Sequence, residues 1–185
     1  MIPSTPARRA AATNGKLRLF ALSVDFPASV RARWVIGTIS ELAGLPWRTL
    51  SEIWKIDSLK KSENIRQIMA DNAANADVIV IAISSLTQLD PVLIQWLDAL
   101  AALKTVHPAS GLLIGLLGNE TTKTVELDKA VKPLMHYARQ MGRDFIWHSM
   151  IECALNDTDW LTENIESLLT RKVQYELHHK MPEVM

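Results

Sequence analysis

The segment Val78-Ile79-Val80-Ile81-Ala82-Ile83 constrains this chain most. It is wholly apolar and rich in β-branched residues, with Asn75 and Asp77 before it and the small hydroxyls Ser84-Ser85 after it. A strand that is apolar on both faces must be covered on both faces, so it belongs in the middle of a parallel sheet with helices above and below.

The rest of the chain supplies such a sheet. Lys16 to Ser23 reads as a first strand and Gly111 to Leu117 as another that is apolar on both faces; Asp144 to Ser149 is a short last one. Trp47 to Ile56 mixes Leu50, Ile53 and Trp54 with Arg48, Glu52 and Lys55, as suits an edge strand with one wet face. Between the strands lie helical periodicities. The first, from about Ala28 to Ala43 and opened by Asp25-Phe26-Pro27, turns Val30, Trp34, Val35 or Ile36, Ile39 and Leu42 inward. A second runs from Ser62-Glu63 to about Ala74, with Ile65, Ile68, Met69 and Ala73 inward. Asp90-Pro91 opens a third, through Leu93, Trp96, Leu97, Leu100 and Leu103. A fourth carries Val125, Leu127, Val131, Leu134, Ala138 and Met141, and Pro133 should kink or restart it. A cap at Asp157-Thr158 begins the last, with Trp160 or Leu161, Ile165, Leu168, Leu169 and Val173 inward. Strand then helix, five times, predicts parallel β-α-β units with right-handed crossovers. The expected architecture is α/β: a five-stranded parallel sheet of order 2-1-3-4-5 in a three-layer α/β/α sandwich. Residues 1–15 read as a flexible tail and residues 16–180 as one domain.

Composition narrows the function. Twenty basic and twenty acidic residues leave a net charge of zero, which provides no field to attract nucleic acid or an anionic membrane. The single cysteine, Cys153, excludes an internal disulfide and reads as a buried small residue. No apolar stretch reaches the roughly 20 residues that cross a bilayer. Arg8-Arg9 is not followed by the hydrophobic block of a secretory signal, so the cytoplasm is the expected location.

In the order 2-1-3-4-5 the chain reverses direction between strands 1 and 3, and ligands bind outside the carboxyl ends there. Asp25 and Phe26 follow strand 1; Ser84, Ser85 and Thr87 follow strand 3; Gly118, Asn119, Glu120, Thr121 and Thr122 follow strand 4; His148 and Ser149 end strand 5. The candidate crevice residues are Asp25, Ser84, Ser85, Asn119, Thr121 and His148. Each also has a structural role to play: Asp25 as a helix cap, the serines as small residues, Asn119 and Thr121 as turn formers. A Walker loop, a G-x-G-x-x-G fingerprint and a G-x-S-x-G elbow are all absent. Val24-Asp25-Phe26-Pro27 does not match the Ser-, Thr- and Gly-rich flavin mononucleotide loop of flavodoxins. One cysteine and five scattered histidines form no zinc site. No metal and no cofactor is implied.

Over about residues 16–175 the β-α order and the central strand resemble the response-regulator receiver domain, which has a flavodoxin-like fold. A receiver carries paired acids after strand 1, an acceptor aspartate after strand 3, a Thr or Ser after strand 4 and a Lys after strand 5. In this chain Asp25 alone stands for the acids, Ser84 or Ser85 takes the acceptor position, Thr121 stands for the hydroxyl, and His148 replaces the lysine. The resemblance therefore implies a degenerate receiver-like module that is not phosphorylated. It would act in regulation through a protein partner or by self-association as a homodimer, without catalysis. Among six tryptophans, Trp47 and Trp54 near the edge strand are the candidate interface residues. The alternative is a small-molecule or nucleotide-binding protein, or a hydrolase, using the strand 1/strand 3 crevice.

Overall fold

Local chemistry sets the helix starts. The Asp25 carboxylate accepts from Ala28 N–H at 2.9 Å just ahead of Pro27. Asp90 accepts from Val92 N–H at 2.8 Å ahead of Pro91, and Ser62 Oγ accepts from Ile65 N–H at 3.2 Å. Each satisfies a donor that the first helical turn leaves without an intrahelical partner.

The computed structural model describes residues 15–44, 47–86, 89–103, 111–119, 121–149 and 158–180. Its elements are β1 (Lys16–Ser23), α1 (Phe26–Ala43), β2 (Arg48–Lys55), a 3-10 turn (Ile56–Lys60), α2 (Glu63–Ala74), β3 (Val78–Ile83), α3 (Pro91–Ala102), β4 (Leu112–Leu117), α4 (Thr124–Gln140), β5 (Asp144–Ser149) and α5 (Asp159–Lys180). Thr87, Glu120, Cys153, residues 1–14 and residues 150–157 lie outside the described residues, as do the side chains of His178 and His179.

All five strands are parallel, in the order β2-β1-β3-β4-β5. The order and the edge position of β2 agree with the sequence expectation. Successive strand residues alternate between two apolar layers. Phe20, Leu22, Ile79, Ile81, Leu113 and Leu117 pack toward α2, α3 and α4, where Trp96 stacks on Phe20 with ring centres 5.7 Å apart. Leu19, Ala21, Val78, Val80, Ile114 and Leu116 pack toward α1 and α5, against Ala32, Val35, Ile39, Leu161 and Ile165.

Three expected core positions face outward instead. Val30 is 51% exposed, Ile68 44% and Val125 69%. On α1 the buried stripe runs through the small residues Ala28 and Ala32 to Val35, Ile39 and Ala43, because alanines let the helix lie close to the sheet. On α2 the stripe is Met69, Ala70 and Ala73, and on α4 it begins only at Leu127. α4 also continues through Pro133. The lost backbone donor is outweighed by packing of Leu127, Ala130, Leu134 and Tyr137.

At the amino end of the sheet, Arg143 is buried and its Nη2 donates to the last carbonyls of α2, Ala73 at 3.4 Å and Ala74 at 3.2 Å. A cation there complements the negative end of the helix. Burial pushes the Arg143 guanidinium down to about 10, against the pull of nearby Asp77, so it stays charged at neutral pH. A Cβ on Gly111 would displace Arg143 Nη1 and lie 3.0 Å from the Asp77 carbonyl. Among the described residues no helix is long and apolar enough to cross a membrane.

Candidate functional site

β1 and β3 leave the sheet side by side. Ser23 pairs with Ala82, so the residues two further along each strand, Asp25 and Ser84, come out opposite each other. Ser84 Oγ donates to Asp25 Oδ1 at 2.7 Å, and Ser84 N–H donates to Asp25 Oδ2 at 3.2 Å. With the Ala28 N–H bond the carboxylate thus takes three donors. The Asp25 carbonyl accepts from Ser29 N–H at 3.0 Å, and Pro27 has no N–H to offer. Only Val24 and Asp25 separate β1 from α1. The start of α1 is therefore capped by the chain's own carboxylate. Ser84 is buried, Asp25 half-buried and Ser85 exposed.

β4 ends in a tight turn. Gly118 N–H donates to the Ile83 carbonyl at 2.8 Å, and the Gly118 backbone has φ 81°, a conformation that favours glycine. Asn119 Oδ1 then accepts from Thr121 N–H at 2.9 Å, Thr121 Oγ1 at 2.7 Å and Thr122 Oγ1 at 3.1 Å. Asn119 N–H donates to Thr122 Oγ1 at 2.8 Å. These side chains build the loop first, leaving the exposed Thr121 on its outer surface.

His148 is held apart from Asp25. Three strand spacings separate β1 from β5, about 14 Å across the sheet. The His148 ring packs on Trp160 of α5 with centres 4.7 Å apart. Asp25 and Ser84 thus form one group and His148 another, too distant to act on the same small substrate atom. The rim carries exposed apolar side chains, Phe26 (74% exposed) after β1 and Val125 after β4. Among the described residues no cluster of three His, Cys, Asp or Glu is placed to hold a metal.

Trp47 and Trp54 are half-buried and pack against the two core layers, and Trp54 Nε1 donates to Glu52 Oε2 at 3.1 Å. The exposed tryptophan is Trp147 on the opposite edge strand, β5. A groove of about 380 Å³ lies elsewhere, beside β2, between Arg18, Leu50, Glu52, Asn72 and Asn75. Its carboxylate, Glu52, is already engaged by Trp54 and by Asn72 Nδ2 at 2.9 Å.

No family model matches the chain, and no curated protein matches it. Solved structures do. An oxidoreductase from Corynebacterium diphtheriae superposes with a TM-score of 0.57 at 12% identity, over 86% of this chain and 98% of the other. An NADH:FMN oxidoreductase in its apo form gives 0.52 at 14% identity, over 85% and 89%. A short-chain flavodoxin associated with a bacterial microcompartment gives 0.53 at 12% identity, over 83% and 97%.

The fold is flavodoxin-like.

The expectation of a non-catalytic, receiver-like regulatory module is overturned by these likenesses, whose proteins are named for oxidoreductase and flavodoxin roles. The physical reason for the error is that receivers and flavodoxins share the strand order 2-1-3-4-5. Strand order therefore does not distinguish a receiver from a flavodoxin.

Proposed function

We propose that the chain is a small-molecule-binding protein of flavin-related redox type, with its ligand at the carboxyl edge of β1, β3 and β4. The observation that carries the reading is the Asp25–Ser84 pair at the point where the sheet reverses direction, the place at which this fold takes ligands. Phe26 and Val125 on the rim offer apolar surface to a flat aromatic ring, while Ser85 and Thr121 offer hydroxyls. The likeness to an NADH:FMN oxidoreductase and a flavodoxin supports the redox class. Titration with riboflavin, FMN and NADH tests it, followed by flavin fluorescence and by thermal stability. Saturable binding of at least one of them, weakened by Phe26→Ala or Thr121→Ala, is expected. Failure of all three to bind would remove the reading.

A further inference from the structure

A phosphate held at a helix N-terminus needs backbone N–H groups that nothing else engages. Of the first four positions of α1, Phe26 to Ser29, only Phe26 has an N–H left open. Ala28 N–H is bonded to Asp25 Oδ1, Ser29 N–H to the Asp25 carbonyl, and position 27 is proline. The adjacent donors from β3, Ser84 N–H and Oγ, also end on the Asp25 carboxylate. The two-residue connection, Val24-Asp25, contains no glycine. A ligand phosphate would also meet the negative charge of Asp25 at short range, with opposed rather than complementary charge. FMN therefore does not fit this end of the site through its phosphate.

We propose that Asp25 is a built-in replacement for a ligand phosphate, so that the carboxyl edge selects ligands carrying no phosphate at the α1 end. Within the flavin class this means riboflavin-type molecules in preference to FMN. The ligand class rests on the flavin-related reading above; the capping of α1 by Asp25 does not. The carboxylate satisfies the same donors that an anion would take, and it is covalently part of the chain, so no soluble anion competes with it at ordinary concentrations.

Two measurements separate the parts. In the first, riboflavin and FMN are titrated against the unaltered protein at fixed ionic strength. Riboflavin binding at least as tightly as FMN is expected, and FMN binding about tenfold tighter or more would overturn the proposal. In the second, inorganic phosphate is titrated against the unaltered protein and against Asp25→Ala, followed by melting temperature. The unaltered protein should not respond, and the variant, with Ala28 N–H and Ser84 released, should gain about 2 °C or more. A phosphate response in the unaltered protein, or none in a folded variant, would overturn the proposal. If neither flavin binds, the flavin reading fails and the phosphate titration still decides whether Asp25 caps α1. If Asp25→Ala does not fold, the unaltered protein's response to phosphate decides alone.

Discussion

Lys172, on α5, forms an ion pair with Asp77, which lies 95 residues earlier at the amino end of β3. The other oxygen of the Asp77 carboxylate accepts from Arg18 N–H at 2.7 Å, and Asp77 N–H donates to the Arg18 carbonyl at 2.8 Å. One residue thus ties β1, β3 and α5 together. Both charged side chains are only about a fifth exposed (21% and 20%), so salt screens the pair less than a surface bridge. Asp77→Asn, which keeps an acceptor for Arg18, should cost about 1 kcal/mol; Asp77→Ala, which keeps none, should cost about 2–3 kcal/mol. Urea unfolding of both variants measures this, and equal losses would show that the Arg18 bond contributes nothing.

Asp25 combines a helix cap with two bonds to Ser84. Asp25→Ala removes all three and should destabilise by about 2–4 kcal/mol. Asp25→Asn keeps a capping oxygen and should lose less than half as much. Ser84→Ala removes only the hydroxyl bond and should cost about 1–2 kcal/mol. A double-mutant cycle for Asp25→Ala with Ser84→Ala should give a coupling above about 0.5 kcal/mol, because the residues touch. Strictly additive losses would mean that the contact is not formed in solution.

Gly118 shapes the loop after β4. Alanine there would strain the backbone at φ 81° and place its Cβ 3.0 Å from Thr122 Cβ and Oγ1. Gly118→Ala should destabilise by about 1–3 kcal/mol and displace the Asn119–Thr122 hydrogen bonds. Amide exchange at Thr121 and Thr122, whose N–H groups bond to Asn119, would report it. Unchanged exchange together with unchanged stability would contradict the strain.

Tyr137 of α4 donates its hydroxyl to Asp98 of α3 at 2.6 Å. Burial, and then the bond to Asp98 and its charge, push the phenol up from 10.0 to about 12. The folded protein therefore holds this proton more tightly than the unfolded chain does. Its contribution to stability is whole below pH 10 and declines as pH climbs from about 10 to about 12. Tyr137→Phe should cost about 1–2 kcal/mol at neutral pH, and the gap from the unaltered protein should narrow across that alkaline range. A gap that stays constant with pH would refute the assignment.

The sheet was legible because β3 and β4 are apolar on both faces and β2 is not. Those patterns assign centre and edge from the residues alone. Which face each helix buries was less legible. Val30 looked like core by size, yet the stripe of Ala28, Ala32 and Ala43 won, because close approach to the sheet favours small residues. The candidate crevice residues were identifiable from their place after strand ends. The Asp25–Ser84 contact was not, since it spans 59 residues and depends on strand register. A signal existed all the same: once β1 and β3 are aligned in parallel, residues equally far beyond the two strand ends must meet. His148 also ends a strand, yet strand order sets it far from Asp25 and against Trp160.

A sheet whose strands all point one way has two unlike ends, and here they divide the labour. Asp77, Lys172 and Arg143 rivet the back of the molecule, at the end of the sheet opposite Asp25 and Ser84. Anyone wishing to toughen this protein should work there, and anyone wishing to retune what it grips should work at the front, with little cross-talk between the two programmes.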